Sequence, residues 1–249
     1  MKKLIAFLSI PILILSCTSD DGDQVVPQSD KLLRTISFSG SSSYSLTFFY
    51  NLDKTIDRIQ SSGTGDDFIK QFFYQNGNID RAEFQDINGV SNGTVERFIY
   101  ENGELVGRED YFNNTTLDEK YEYEFSNGVV GEIRYFGFNE TSFSRRILLE
   151  YNANQNLTAQ TINNVNNSNS DVVVTYSYDD KKNPLNNFEP NIVLIDDFKS
   201  FQNNITSEVS RNPSNNNNVS TSNFAYTYDS DGYATSRTDG SETMTYSYY

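Results

Sequence analysis

Residues 95–112, VERFIYENGELVGREDYF, carry the pattern that decides the fold. Two runs that contain several β-branched and aromatic residues flank Asn102 and Gly103, and both of these residue types tolerate the positive φ of a type I′ turn. Asn-Gly between two such runs is the strongest short-range signal of a β-hairpin. The stretch therefore predicts two antiparallel strands joined by a tight turn.

The same arrangement of an aromatic residue, a polar turn and an aliphatic residue recurs along the chain, about every 25 residues. Asn-Gly recurs in phase at positions 76–77 and 127–128. The aromatic anchors occupy positions 50, 74, 100, 125, 151, 178 and 228. The last interval spans two periods, so we expect the missing turn and return strand at residues 203–206.

The strands that enter the turns predict one buried face and one solvated face. Tyr121, Tyr123 and Phe125 share a face because side chains alternate along a strand, and Glu122 and Glu124 take the other. The aromatic anchors are accordingly expected on the inner surface.

A single hairpin of this kind is not stable alone. Full burial of the eight large apolar residues in 95–112 contributes roughly 12–24 kcal/mol, whereas ordering the backbone of the hairpin costs roughly 18–36 kcal/mol. Neighbouring hairpins must pack side by side, and the long sheet must curl or close to bury its apolar face. We predict an all-β fold, an antiparallel up-and-down meander of about 14–16 strands in a barrel-like or half-open shell.

The first residues predict export. Lys2 and Lys3 precede an apolar run, residues 4–15, that is shorter than the roughly 20 residues of a membrane-spanning helix. Residues 14–17, ILSC, resemble the bacterial lipobox, which implies a lipoprotein signal peptide over residues 1–16 and lipidation of Cys17. Acyl chains such as palmitate on Cys17 would then attach the protein to a membrane.

Residues 17–31 form an acidic, flexible tether in this interpretation, and residues 32–249 form the repeat β domain. Residues 18–23, TSDDGD, resemble the signal that sends Bacteroidetes lipoproteins to the outer face of the outer membrane. The expected location is therefore the cell surface, and the periplasm-facing side of the outer membrane is the alternative.

Composition excludes several function classes. The chain holds 34 acidic and 19 basic residues, and loss of Lys2 and Lys3 leaves 17 basic ones, so nucleic acid is not an expected partner. With no histidine and one cysteine, Ser-His-Asp and Cys-His nucleophile systems and the usual zinc sites are excluded. We expect no metal and no cofactor.

Two segments depart from the hairpin pattern. Residues 183–201 contain Pro184, Pro190 and the apolar run 192–195, and they predict either a loop or short helix that plugs one end of the barrel or an irregular strand with a long connection. Residues 211–223 are almost all Asn, Ser, Thr and Pro, which predicts a mobile surface loop.

Two resemblances follow from these motifs. Residues 228–233, YDSDGY, and 178–180, YDD, resemble YD repeats of the RHS type, whose hairpins roll into shells. Residues 32–249 as a whole resemble an uncharacterised Bacteroidetes surface lipoprotein domain with a porin-like fold. The resemblance implies a many-stranded meander and transfers no catalytic residue.

Carboxylates are the only plentiful catalytic groups, and no pair of them stands out. Glu122, Glu124 and Glu132 occupy positions that suit the solvated face of a strand. Residues 229–232, DSDG, match the start of a calcium loop, but the later ligands are missing, so a hairpin turn is expected.

The sequence therefore predicts a membrane-tethered lipoprotein with a non-enzymatic role in binding or scaffolding at the cell surface, with a glycan or a protein as ligand. One alternative is a carboxylate-dependent glycoside hydrolase. The other is an integral outer-membrane β-barrel, favoured by the aromatic end of residues 244–249. Lys70 and Glu96 lie in phase with the aromatic face, which argues against lipid contact on that face. The sequence does not specify ligand-binding residues.

Overall fold

Seventeen β-strands and no helix make up the part of the chain that the computed structural model describes, residues 31–40, 43–63, 67–126, 128–165, 171–186 and 201–249. The strands are β1 (Leu33–Ser39), β2 (Tyr44–Tyr50), β3 (Ile56–Ser62), β4 (Phe68–Gln75), β5 (Asn78–Asp86), β6 (Ser91–Glu101), β7 (Glu104–Phe112), β8 (Thr116–Ser126), β9 (Val129–Phe136), β10 (Arg145–Tyr151), β11 (Leu157–Asn164), β12 (Val172–Lys182), β13 (Asn203–Asn212), β14 (Asn215–Asn223), β15 (Ala225–Tyr228), β16 (Ala234–Thr238) and β17 (Thr243–Tyr248).

The strands form an antiparallel meander that closes on itself. Each strand from β1 to β13 pairs with the next one along the chain. The first strand also pairs with the last, with Ile36 opposite Leu46 of β2 on one edge and Tyr246 of β17 on the other. The predicted all-β meander and barrel-like closure are confirmed.

One seam in the barrel is unsealed, where Phe224 separates β14 from β15. β14 pairs with β13, whereas β15 pairs with β16, and no backbone ladder joins β14 to β15 within the described ranges. The Phe224 amide still donates to the Thr206 carbonyl at 2.9 Å. This break divides one nearly continuous stretch in two, which is why 17 strands are seen where about 14–16 were expected.

The tight turns follow the residue types that the sequence supplies. Asn76 and Gly77 have φ values of 53° and 85°, and Asn102 and Gly103 have 52° and 87°. Two successive positive φ values are the geometry of the type I′ turn, whose twist matches that of the flanking strands. In the third predicted turn Gly128 has φ of 79°, and Asn127 lies outside the described residues.

The core lies on the inner face. It consists mainly of aliphatic residues, which come from the beginning, the middle and the end of the chain. Phe48, Leu33, Ile36 and Ile79 are the most deeply buried large apolar side chains. Five of the seven predicted aromatic anchors, at positions 50, 74, 100, 151 and 178, pack against this core as partly buried rings. Phe125 is 40% exposed, and Tyr228 is partly buried outside this cluster.

Five tyrosines hold neighbouring strands together through their hydroxyls, and we call them the tyrosine latches. Each donates to a carbonyl at or near the first residue of a preceding strand, which is a polar group that the barrel wall would otherwise bury. The pairs are Tyr50 to Leu33 (2.8 Å), Tyr74 to Ile56 (2.8 Å), Tyr178 to Leu157 (2.6 Å), Tyr226 to Ile205 (3.0 Å) and Tyr248 to Ala234 (2.7 Å).

Two expectations about the irregular segments have different outcomes. Residues 203–206 begin β13, which confirms the return strand, whereas the turn expected within these residues is wrong because all four belong to the strand. The mobile loop expected over residues 211–223 is wrong, because Ser207 to Arg211 pair in register with Asn223 to Val219 as a hairpin. Thr and Val favour strands, Ser is tolerated when a paired neighbour is available, and composition alone does not reveal that neighbour.

Several predictions fall outside the described residues. These are the signal peptide over 1–16, Cys17, most of the tether over 17–31, and residues 187–200 of the irregular segment near 183–201. In the described part of that segment, residues 183–186 form a turn, and the Asn183 amide donates to the Gln202 carbonyl at 3.1 Å.

Candidate functional site

A cavity of about 1010 Å³ lies against the inner face of the barrel wall. Its volume is at the upper end of the range for small-molecule sites. Rings and aliphatic side chains make up most of its lining. The charged residues of the lining are Lys70, Glu96, Arg108, Glu208 and Arg237.

Lys70 and Glu96 form a buried ion pair in this wall. Lys70 lies between Phe68 and Phe72 in β4, so strand alternation turns it inward with the two rings. Its Nζ atom donates to Glu96 Oε1 at 2.8 Å, and Oε2 is equally close. The pair spans β5 at Ala82, whose small side chain is opposite Glu96 and leaves room for the contact.

Arg108 and Asp110 form a second inward ion pair, on β7. Arg108 Nε lies 2.9 Å from Asp110 Oδ1, and the guanidinium stacks 4.3 Å from the centre of the Tyr121 ring. Arg108 is 6% exposed. Burial of a guanidinium requires such a counter-charge, since an unpaired buried ion is very costly.

Asp110 belongs to a row of carboxylates across three strands. In the register it is opposite Glu96 of β6 and Glu119 of β8. Desolvation raises the pKa of Asp110 to about 7, the nearby charges of Glu96 and Glu119 add to the rise, and Arg108 opposes it. The row therefore contains a group that titrates near neutral pH.

The row continues through two phenols. Glu119 accepts hydrogen bonds from the Tyr121 hydroxyl at 2.7 Å and from the Tyr135 hydroxyl at 2.8 Å. Desolvation, followed by the hydrogen bond to Glu119, raises the pKa of Tyr135 to about 12. Charged and phenolic groups thus form a connected polar band around part of the inner wall.

Arg237 lies far from these residues in the sequence, in β16, which follows the unsealed seam at Phe224. Its register partners are Tyr226 of β15 and Met244 of β17, and all three line the cavity. The guanidinium lies 4.0 Å from the centre of the Phe224 ring. The seam residue therefore fixes the position of a cavity-facing cation.

A structural cluster involves two of the residues that carried the YD resemblance. Asp179 accepts hydrogen bonds from the Asn204 amide groups and from the Tyr228 hydroxyl. Asn204 is 2% exposed. These contacts join β12, β13 and β15, so Asp179 and Tyr228 contribute to closure of the barrel across the seam.

The carboxylates singled out from the sequence lie on the outer face and are paired with bases. Glu122 contacts Lys120 at 2.7 Å, and Glu124 contacts Arg134 at 2.7 Å. Glu132 lies between Arg134 and Arg146, at 2.8 and 2.6 Å, and the hydrogen bond from Arg146 is the main cause of its lowered pKa.

Residues 229–232 form the hairpin turn that the sequence predicts. Asp229 Oδ1 accepts from the amides of Asp231 and Tyr233, both at 2.9 Å, and Lys31 Nζ contacts the carboxylates of Asp229 and Asp231. No group of three or more potential metal ligands occurs in the described part of the chain.

The sequence identified Lys70 and Glu96 as inward charges, but it did not identify Arg108, Asp110, Glu208 or Arg237 as cavity or wall residues. For Arg108 and Asp110, alternation from the inward-facing Leu105 gives the wrong face. A register shift between Ile99 and Tyr100 adds one residue to β7 and turns Arg108 and Asp110 inward. For Arg237 there was no signal, since its strand, ATSRT, has no apolar alternation.

The outer face of the barrel is largely polar, although it also carries rings such as Phe49 and Phe73, which Arg58 and Arg81 cover at 3.9 and 4.1 Å from the ring centres. Over part of the wall it is a ladder of hydroxyls, in which Ser37 is opposite both Ser45 and Thr245. Elsewhere it carries ion pairs such as Arg81 with Glu83 at 2.7 Å. Among the described residues, no helix has the length and apolar content needed to cross a bilayer.

No family model matches the chain, and no curated protein matches it. The fold is similar to a porin-like protein from Bacteroides uniformis, with a TM-score of 0.60 at 13% identity, over 87% of this chain and 98% of that chain. It is also similar to a porin-like protein from Bacteroides vulgatus, with a TM-score of 0.57 at 11% identity, over 88% and 99% of the two chains. At such low identity the likeness establishes the fold alone, which is the porin-like meander that the sequence predicts.

Proposed function

We propose that this protein is a lipoprotein attached to the outer membrane through lipid on Cys17, and that its barrel binds a ligand at the cell surface without catalysing a reaction. The observation that carries the binding role is the cavity of about 1010 Å³ inside the wall, with rings and charged groups in its lining. Sites for small molecules combine an apolar lining with a few polar groups in this way.

The polar outer face supports a tethered barrel over a membrane-embedded one. Arg81, Lys120 and Arg134 project from three different strands of that face, each 34–38% exposed. A basic side chain in contact with lipid near the bilayer midplane costs about 2–4 kcal/mol. Three such groups, together with their acidic partners, would make insertion of this wall strongly unfavourable.

The lipid would then supply the attachment that the strands do not. Each buried CH₂ group of an acyl chain contributes about 0.8 kcal/mol, and more than one chain gives stable anchoring. Residues 14–17 carry the lipobox-like motif, and the acidic residues 18–23 favour the surface-exposed orientation over the periplasm-facing one.

A glycoside hydrolase is the second candidate, because two carboxylates, Glu96 and Glu208, line the same cavity. Glu96 is held by Lys70 at 2.8 Å. Asp110, whose pKa of about 7 would suit a general acid, is not among the lining residues. Hydrolysis of a glycan by the protein, abolished by Glu208→Gln, would establish this candidate and overturn the non-enzymatic proposal.

The attachment is tested in intact cells with the full chain and with Cys17→Ser. The proposal expects the wild type to stay in the membrane fraction after carbonate washing, to be released by protease added outside the cells, and to incorporate labelled palmitate. Cys17→Ser should lose both the label and the membrane association. Membrane retention of unlabelled Cys17→Ser would contradict the tether and support the embedded barrel.

A further inference from the structure

The charged residues that line the cavity differ in whether an oppositely charged side chain is paired with them. Lys70 is paired with Glu96 at 2.8 Å, and Arg108 is paired with Asp110 at 2.9 Å. Glu208 also has an interaction partner within the protein. Within the described ranges, the Arg237 guanidinium stacks on the Phe224 ring and has no ion pair with a carboxylate. The exposed Asp239 lies two residues further along the chain, and its lowered pKa is due first to the backbone hydrogen bonds from Glu242 and Ser241 and only weakly to the charge of Arg237.

Arg237 is partly buried, so water satisfies it less well than an exposed side chain. A guanidinium has five N–H donors in a planar fork that fits carboxylate, sulfonate or phosphate oxygens. Stacking on Phe224 uses one face of the fork, and a ring contact of this kind does not involve its N–H donors. A cation held by an aromatic ring is oriented before a ligand arrives, so less conformational entropy is lost when it binds.

The surroundings of Arg237 suit a planar apolar group. Tyr226 and Met244 flank it in the register, and Tyr246 and Phe224 complete this part of the lining. Rings prefer to stack or pack edge-to-face against other rings. The acidic group of a ligand would therefore lie at the seam, with its apolar part directed over these side chains.

We propose that the cavity binds an amphipathic monoanion, whose acidic head group accepts hydrogen bonds from Arg237 and whose planar apolar body packs among Phe224, Tyr226 and Tyr246. This inference rests on the proposed binding function and specifies the chemical class of its ligand. The overall charge of −15 does not oppose it, because surface charge is screened over about 8–10 Å while the cavity wall provides a local cation.

The test uses three probes of similar size and different charge: naphthaleneacetate, naphthaleneacetamide and naphthylmethylamine. Binding to the full chain in lipid nanodiscs is measured by calorimetry and by saturation-transfer NMR, with empty nanodiscs subtracted. A charge-assisted hydrogen bond in a partly desolvated site predicts that naphthaleneacetate binds about tenfold or more tightly than the neutral amide. The amine should bind most weakly.

The matched variants are Arg237→Gln and Arg97→Gln. Arg97 also stacks on a ring, that of Tyr111 at 4.5 Å, but it is exposed on the outer face. Arg237→Gln should weaken binding of naphthaleneacetate more than binding of the amide and so remove the preference for the anion, whereas Arg97→Gln should leave the affinities of all three probes unchanged. The wild-type comparison of the three probes stands even if Arg237→Gln fails to fold.

The outcomes separate the two proposals. If none of the three probes binds, the cavity is not a binding site and the proposed function fails with the inference. If all three bind with equal affinity, or if Arg237→Gln retains the preference for the anion, ligand binding stands and the assignment of an anionic head group to Arg237 is overturned.

Discussion

Replacement of Asp110 by asparagine should change how stability depends on pH. Burial raises the pKa of Asp110 to about 7, whereas an aspartate in an unfolded chain titrates near 3.9. Between these two values the folded protein holds a proton that the unfolded chain has released. The contribution of Asp110 to stability is therefore complete below about pH 4 and is lost as pH rises through about 7.

The size of the effect follows from the pKa difference. One unit corresponds to about 1.4 kcal/mol, so the rise from pH 5 to above pH 7 removes up to about 3 kcal/mol of wild-type stability through this group. Its side chain is 18% exposed and faces Glu96 and Glu119, so little solvent screening reduces this value. The amide introduced by Asp110→Asn does not titrate, so relative to wild type the variant should gain about 2–3 kcal/mol of stability between pH 5 and pH 8.

Urea unfolding monitored by tyrosine fluorescence measures the two stabilities, since the chain has 17 tyrosines and no tryptophan. Comparing wild type with Asp110→Asn at each pH cancels the contributions of titrating groups that do not interact with Asp110. Glu109→Gln, on the outer face of the same strand, is the control and should shift stability almost equally at both pH values. A difference between Asp110→Asn and wild type that is the same at pH 5 and pH 8 would refute the buried, like-charged row.

Three further predictions concern the buried pair, the latches and the turns. Lys70→Met should destabilise the protein by about 3–5 kcal/mol because it leaves Glu96 buried without its counter-ion, and the double variant with Glu96→Leu should recover most of the loss in urea unfolding. Tyr74→Phe should cost about 0.5–1.5 kcal/mol at neutral pH by removing the bond to the Ile56 carbonyl. Burial raises the pKa of Tyr74 to about 12, so wild-type stability falls above about pH 10, where the unfolded phenol ionises first, and the fall should be smaller in Tyr74→Phe. Gly103→Ala should cost about 1–2 kcal/mol from its φ of +87° alone, since no atom lies within 4 Å of the added methyl group, and a thermal unfolding midpoint equal to that of wild type would contradict this.

Local features of this barrel were predictable because they depend on neighbouring residues. Asn102 and Gly103 determine a turn, the turn determines the register of the hairpin, and the register places Tyr100 on the inner face. The same logic repeated along the chain gives the meander. It also explains why Lys70 and Glu96 could be assigned to the inner face before the structure was known.

The site was less predictable because it depends on which distant strands meet. Pairing of β1 with β17, and the seam at Phe224, are set by the curvature of the whole sheet and have no local signal. Arg237 faces the cavity because it is opposite Tyr226 and Met244 in the register, whereas its own strand has no apolar alternation. Phe125 shows the opposite failure, since it matches the anchor pattern and is 40% exposed.

The charges in the wall help to explain how a barrel of this size keeps an internal space. Barrels of about 16 strands are too wide for side chains to fill completely, so the interior must hold water, an inserted segment or a ligand. Rings alone on the facing walls would favour collapse of the shell, because contact between them would remove apolar surface from water. Lys70, Glu96, Arg108 and Asp110 counteract this tendency, since further desolvation of each ion pair is costly. The polar band therefore favours an open cavity. The proposed role of Arg237 is to give that cavity a preference for anionic ligands.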